Sequence, residues 1–463
     1  EVEERLAPIM ERHELTESPV LVGLAGWLRG VGVGRRGEYG VALRHHQTAA
    51  RAMSLSGETG YIAFLWSLVA EDQTLLGNPL EAWEARTRSL EVFRRVHDPS
   101  LLRGALVPAV VDLQRSGMLH AALLLQNHAV ELSEAGMADY LLSEDLVRRA
   151  TLRLELGREA AAEEDLKRAR AVATSIRDGA TRDWSMAQLW IAEGALAARS
   201  SREDADQASV PLALLDSAVA FHRSRNHNHF LVDLHLERSR LHQRRGALED
   251  AHQELRASLT LVENTRSTID DPVGGIRFAE ASRKLWDAGL GLDLVARRDP
   301  WSALRLMERI RSLTTPWLEV PSSQELARVS HLPDLAVVAY ASLPDSLFVW
   351  ILRDSGAEAL SLPVARETLR DAGLELGRYA RSARSPEELW PAAERVTRLI
   401  LPDTLQALIG ARDVVFVPDP VVAGLPFAAL TSREGWLLEE RAVSVSPSLT
   451  FVQTRLGALA AEA

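Results

Sequence analysis

The hydrophobic pattern of the chain changes its period once, near residue 330. Before that point apolar residues recur at the 3.6-residue spacing of amphipathic helices, and strand patterns are nearly absent. After it, two short β-favouring runs, Leu335–Tyr340 and Leu347–Leu352, are separated by a Pro-Asp turn and predict a hairpin. The pattern therefore predicts a mostly α fold, a helical solenoid followed by a partial α/β domain.

An internal repeat organises the helical part. Glycines recur every 40 residues, and a small residue follows each glycine five and twelve positions later. We expect each glycine to end one helix in a left-handed turn, and the two small residues to mark where the next helix packs closely on its neighbour. The glycines are Gly37, Gly77, Gly117, Gly157 and, after a divergent unit assigned to Ala213 and Ala220, Gly246.

This spacing resembles the tetratricopeptide repeat, most clearly in Ala150–Ala169 and Ser239–Ser258. The units are longer than the standard repeat of about 34 residues. The resemblance implies a solenoid of helix pairs over residues 1–270, closed by capping helices at 271–315, whose concave face holds a peptide or protein partner. By register, the residues expected to face that groove are Gln114, Thr151, Glu155, Arg240 and Gln243.

The remaining residues predict a separate domain. The segment 316–325 contains prolines and serines and is predicted to be a linker. In the domain at 326–463, the hairpin leads to a third strand at Ala357–Leu362, two helices, a central strand at Asp413–Val417, a strand at Ala442–Ser446 and a helix starting at Pro447.

The final strings of the chain resemble the opening half of a CHAT domain, a caspase-like family similar to separase that typically follows tetratricopeptide repeats. The resemblance implies a cysteine peptidase whose histidine and cysteine lie beyond the helix at Pro447. This chain has no cysteine, and its last histidine is His331, so no residue here receives a catalytic role. The strings are Val414–Asp419, Leu425–Leu430, Trp436–Glu440 and Val443–Ser448.

The expected function is therefore that of a regulatory and partner-recognition portion of a longer, cytoplasmic TPR-CHAT cysteine peptidase. The chain alone is expected to be inactive, and its expected partners are a protein activator or substrate in the groove and the catalytic part of the CHAT domain, in the same chain or in a separate one. The alternative is a non-enzymatic protein-interaction scaffold with a degenerate caspase-like domain.

Composition and charge exclude several classes of partner and site. The formal net charge of -11 argues against a nucleic acid as main partner, and the absence of cysteine excludes disulfides and thiolate metal sites. The longest apolar runs are about six residues, against roughly 20 for a membrane helix. The N-terminal residues contain no signal-peptide pattern.

Three other candidate sites are interpreted as structural. The string Gly32–Gly37 matches G-x-G-x-x-G but lacks the preceding strand that a dinucleotide site requires. The histidines at 222, 227, 229 and 235 could in principle bind a metal, but they are assigned to a solvated turn and the helix after it. Asp419, between two prolines, is interpreted as a turn residue. No metal or cofactor is predicted.

Overall fold

The computed structural model describes residues 18–93, 98–115, 117–136, 138–200, 209–269, 272–314, 334–382, 385–410, 413–433 and 435–454. These residues are mostly helical, with one small mixed sheet near the C-terminal end. The chain divides into two compact units, Glu1–Leu285 and Trp286–Ala463. This division falls earlier than the predicted linker at 316–325, which lies outside the described residues, as does His331.

The first unit is a succession of helices of similar length. Sequential helices pack against each other, and odd-numbered helices also pack on one another, α3 on α5, α7 on α9 and α9 on α11. The helices are α1 (Pro19–Arg35), α2 (Tyr39–Ser56), α3 (Thr59–Leu75), α4 (Pro79–Phe93), α5 (Pro99–Arg115), α6 (Leu119–Glu134), α7 (Asp139–Glu155), α8 (Glu159–Ser175), α9 (Gly179–Ser200), α10 (Ser209–Ser224), α11 (Asn228–Arg244), α12 (Leu248–Arg266) and α13 (Pro272–Ala281).

The repeated glycines end helices in the way the spacing predicts. All five have a positive φ, between +72° and +86°, a backbone region that a side chain with a Cβ rarely adopts. Each follows an odd-numbered helix by one or two residues. The prediction of a left-handed turn at each glycine is confirmed.

The small residues after each glycine are buried, and some bond directly to the neighbouring helix. Ser89 on α4 donates its hydroxyl to the carbonyl oxygen of Ala63 on α3, at 2.7 Å. Ser258 on α12 donates in the same way to Val232 on α11, at 2.8 Å. Backbones that approach this closely have no room for a larger side chain at the contact.

The divergent unit was assigned to the wrong residues. Ala213 and Ala220 are exposed, whereas Pro211 and Ala218, seven residues apart and two positions earlier, are buried in α10. In the other units a glycine stands five residues before the first of these small residues, whereas the sequence has Asp206 five residues before Pro211. Without that marker, spacing alone misplaced the buried stripe of α10.

The second unit begins within α14 (Arg283–Gly291), continues through a π-helical turn at Leu292–Ala296 and α15 (Pro300–Thr314), and contains the sheet. The strands lie in the order β3-β2-β1-β4-β5. Their bounds are β1 (Leu335–Ser342), β2 (Leu347–Arg353), β3 (Gly356–Leu362), β4 (Asp413–Val417) and β5 (Ala442–Val445). The further helices are α16 (Arg366–Ser382), α17 (Pro386–Ile400), α18 (Asp403–Ile409) and α19 (Leu437–Glu440).

The predicted strands are confirmed, but the centre of the sheet is not where it was expected. β1 pairs antiparallel with β2, which pairs antiparallel with β3, while β4 runs parallel to both β1 and β5. The middle strand is therefore β1, buried along nearly its whole length, and not β4. Residues 449–454 form the helix that was predicted to start at Pro447.

Both faces of this sheet are covered. On one face, Tyr340 and Phe416 pack in a core with α16, α17 and α18. On the other, Trp350 is fully buried and donates its indole N–H to the carbonyl oxygen of Pro300 at the start of α15, at 3.0 Å. β5 differs from the other strands, since its residues are mostly exposed and no described strand pairs with its outer edge.

Candidate functional site

The residues predicted to face a groove all lie on odd-numbered helices, and the structure brings two of them together. Gln114 on α5 donates its amide to Glu155 on α7, at 2.6 Å. Thr151 donates its hydroxyl back to the carbonyl oxygen of Val147 within α7. The other two lie on α11, where Arg240 forms an ion pair with Glu237 and Gln243 is exposed. A binding role for these residues stays a prediction.

Polar bonds join successive odd-numbered helices from α3 to α11 in the first unit. Thr74 on α3 donates to Asp112 on α5, at 3.0 Å, and Trp184 on α9 donates its indole N–H to Glu144 on α7, at 2.7 Å. The partners in each pair are about 40 residues apart, so these bonds follow the sequence repeat. They align the odd-numbered helices side by side.

The strongest of these bonds joins α5 to α7 and is buried. Arg103 donates to both carboxylate oxygens of Asp145, at 2.6 and 3.0 Å. Asp145 is fully buried and also accepts hydrogen bonds from Ser133 and Gln126. Both carboxylate oxygens of Asp145 therefore accept hydrogen bonds from buried donors.

A cavity of about 250 Å³ lies between α9, α10 and α11. Most of its lining is apolar, including Leu215 and Leu234. Two carboxylates, Asp233 and Glu237, also line it, and so does Gln188. The side-chain nitrogen of Gln188 is buried and has no hydrogen-bond acceptor among the described residues. The cavity thus combines apolar walls with one unpaired donor and acidic groups.

The histidine-rich turn between α10 and α11 is packed, which corrects its interpretation as solvated. His222 is fully buried, stacks on Phe230 with ring centroids 4.5 Å apart, and meets Trp184 edge to face at 5.8 Å. His227 lies half-buried, its Nδ1 3.4 Å from Nδ1 of His222. The polar residues of this segment suggested exposure because one of the aromatic partners, Trp184, lies 38 residues before His222.

Burial and neighbouring cations keep both imidazoles neutral. Burial, together with the charges of His227, His229, Arg35 and Arg225, lowers the pKa of His222 to about 3. Burial and the two arginines lower the pKa of His227 to about 4. Charging either ring would place a cation among cations in an apolar setting.

The first helices contact this same region through residues far away in the sequence. The guanidinium of Arg35 on α1 lies 4.5 Å from the ring centroid of Trp184 on α9, a cation–π contact. The hydroxyl of Tyr39 on α2 lies 2.8 Å from Nδ1 of His229 on α11. Two further histidines were considered as metal ligands, His229 and His235. His229 bonds to this tyrosine, and His235 on α11 bonds to Glu254 at 2.6 Å.

In the second unit, Arg311 is the centre of a buried polar cluster. Arg311 on α15 donates to Glu308 at 2.6 Å and to the carbonyl oxygens of Tyr340, Val417 and Pro418, each at 3.2 Å. Glu308 is also buried and accepts from the backbone N–H and hydroxyl of Thr450. The guanidinium of Arg311 thus bonds to the carboxyl ends of β1 and β4, and Glu308 connects it to the helix at residues 449–454.

Asp419 lies at the same edge of the sheet. It is fully buried and accepts hydrogen bonds from the backbone N–H and hydroxyl of Ser342, at 3.1 and 2.9 Å, and from the N–H of Val421. The last bond closes a turn, so the interpretation of Asp419 as a turn residue is confirmed. Arg366 donates to the backbone oxygen of Ser342 and to both oxygens of Asp287.

This edge of the sheet is where open α/β sheets usually bind ligands. Here the described polar groups bond to one another. The buried hydroxyl of Ser342 donates to Asp419, and that of Ser446, directly after β5, donates to the carbonyl oxygen of Ser448. The sequence does not reveal that Glu308 and Arg311 join the strand ends, because the partners of Arg311 are about 30 and 106 residues away.

Comparison with known protein families finds none that matches the chain, and no curated protein matches it significantly. Within the described residues, no helix is long and apolar enough to cross a membrane. Those residues also contain no group of three or more histidine, aspartate and glutamate side chains arranged to hold a metal ion. The string at Gly32–Gly37 covers the end of α1 and the turn after it.

Proposed function

We propose that this chain is the regulatory and partner-recognition part of a TPR-CHAT cysteine peptidase. In this proposal the helix pairs form a tetratricopeptide-type solenoid that binds a protein activator or substrate. The sheet unit is the non-catalytic half of the caspase-like domain, and the catalytic histidine and cysteine belong to the remaining half.

The observation that carries the proposal is the arrangement of the sheet unit. Three parallel strands, β1, β4 and β5, follow one another across the sheet, and an antiparallel hairpin lies on the opposite side. No described strand pairs with the outer edge of β5, the last of them, and Val445 is 53% exposed. Exposed edges of this kind are normally covered or paired in folded proteins, which fits a domain that continues with further strands.

The helical unit supports the other half of the proposal. Its left-handed glycines recur with the repeat, and odd-numbered helices pack on each other as the inner helices of a solenoid do. The polar residues between those helices, such as Gln114 and Glu155, lie on a surface of the kind that recognises extended peptides. Because this chain has no cysteine, the proposed peptidase takes its catalytic thiol from the remaining half of the domain.

The test is thiol labelling of the natural protein, isolated with an antibody against the helical unit. A cysteine-directed peptidase probe is expected to label a species that is larger than 51.0 kDa, or a separate chain that copurifies with the repeats. The 463-residue chain alone, which has no cysteine, is the control and stays unlabelled. If neither the natural protein nor any copurifying chain is labelled, the peptidase proposal fails and the non-enzymatic scaffold remains.

A further inference from the structure

We propose that the cavity between α9, α10 and α11 binds one large apolar side chain of a peptide partner that carries a lysine or arginine beside it. Gln188 would donate to a backbone carbonyl oxygen of that peptide, and Asp233 would pair with its cation. The inference rests on the proposed role of the helical unit in recognition and specifies which peptides it selects.

The size of the cavity matches a side chain rather than a small-molecule cofactor. Its volume of about 250 Å³ exceeds the roughly 150 Å³ of an apolar cavity that takes up benzene and falls below the range of roughly 300–1,000 Å³ common for ligand pockets. The walls include Ile191, Leu215, Leu234 and Leu241. An indole, phenyl or isobutyl group fits such a space and gains from leaving water.

Gln188 is the polar feature that points to a ligand. Gln188 lines the cavity, and its side-chain nitrogen is buried and has no acceptor among the described residues. A buried donor without a partner raises the free energy of the folded state. A ligand that supplies the acceptor removes this cost. A peptide carbonyl oxygen is the acceptor that accompanies every side chain entering the cavity.

The acidic residues that line the cavity set the charge of the peptide. Glu237 is already paired with Arg240, so its charge is largely compensated. Asp233, one turn earlier on α11, is exposed and has no hydrogen bond or ion pair with the part of the chain that the structure describes. The uncompensated carboxylate favours a cationic neighbour and disfavours an acidic one.

The experiment measures fluorescence anisotropy with the full 463-residue chain. The probe is a fluorescein-labelled octapeptide with one tryptophan between two lysines. Replacing the tryptophan by alanine is expected to weaken binding roughly ten- to hundredfold, since the apolar side chain supplies most of the burial. Replacing the lysines by glutamates is expected to weaken it about fivefold or more, since this interaction is exposed to solvent.

Three substitutions in the protein localise the site. Ala195 on α9 lines the cavity. Ala195→Phe fills that space and is expected to abolish the difference in affinity between the tryptophan and alanine peptides. Its control is Ala213→Phe at an exposed position of α10. Asp233→Lys removes the preference for lysine, and its control is Asp371→Lys, also an exposed aspartate at the sixth position of a 17-residue helix.

Gln188→Met separates a binding role from a structural one. Because the nitrogen has no acceptor among the described residues, this substitution is expected to leave the unfolding midpoint unchanged or raised while it weakens binding of the tryptophan peptide. A loss of stability with unchanged binding would assign Gln188 to the fold alone. Equal affinity of the wild-type chain for the tryptophan and alanine peptides would overturn the proposal, whatever the outcome of thiol labelling.

Discussion

Lowering the pH from 7.5 to 5 should destabilise the region around His222. The pKa of this buried imidazole is about 3 in the folded chain, below the ordinary value near 6.5 that it regains on unfolding. The unfolded state therefore takes up a proton first as the pH falls below 6.5, and stability is lost increasingly down to the folded pKa. At pH 5 the difference corresponds to about 2 kcal/mol for this group alone.

The neighbouring His227 acts in the same direction, with a smaller effect because it is only half-buried. His222→Phe removes the titration with little loss of contact, since Nε2 of His222 has no partner among the described residues and the ring packs between Phe230 and Trp184. In this variant the loss of stability between pH 7.5 and 5 should shrink by the share that His222 contributes.

Hydrogen exchange measured by mass spectrometry on peptides from α10 and α11 gives the opening free energy of this region without requiring the whole chain to unfold in one step. Exchange rates are corrected for their intrinsic pH dependence. His120→Phe, at an exposed position of α6, is the control and should retain the wild-type behaviour. Equal losses in the wild type and in His222→Phe would refute the reasoning that burial keeps this imidazole neutral.

Three further predictions concern stability. Asp145→Asn should cost about 3–5 kcal/mol in urea unfolding because Arg103 stays buried without its carboxylate, and a loss below about 1 kcal/mol would contradict a buried ion pair there. Gly157→Ala, at a φ of +72°, should cost about 1–2 kcal/mol, whereas Gly32→Ala within α1 should be neutral or stabilising; equal effects would count against the left-handed turn. Asp419→Ala should lower the melting temperature of the sheet unit by leaving Ser342 without its acceptor, and unchanged melting would contradict its burial.

The parts of the fold that follow from local interactions were predictable. A positive φ at Gly117 or Gly157 depends on the glycine and its helix, so the repeat located those turns. The hairpin of β1 and β2 followed from two alternating runs and a Pro-Asp turn. Where such a marker was missing, as before α10, the buried residues of α10 were misplaced by two positions.

The candidate sites depend on contacts that no local pattern contains. The cavity is formed by α9, α10 and α11 together. That the side-chain nitrogen of Gln188 has no acceptor among the described residues follows only from the positions of all its neighbours. The histidines at 222 and 227 read as a polar turn because Trp184, which packs against both rings, lies about 40 residues earlier in the chain.

The sequence by itself determined the helical repeat, the change to strands near residue 330 and the lack of a thiol, because backbone preference, hydrophobic period and composition are properties of neighbouring residues or simple counts. Only the tertiary structure decided that Tyr39 meets His229, that Ser342 meets Asp419 and that Arg311 joins two strand ends. Such pairs are far apart along the chain, and their approach depends on how whole helices and strands pack.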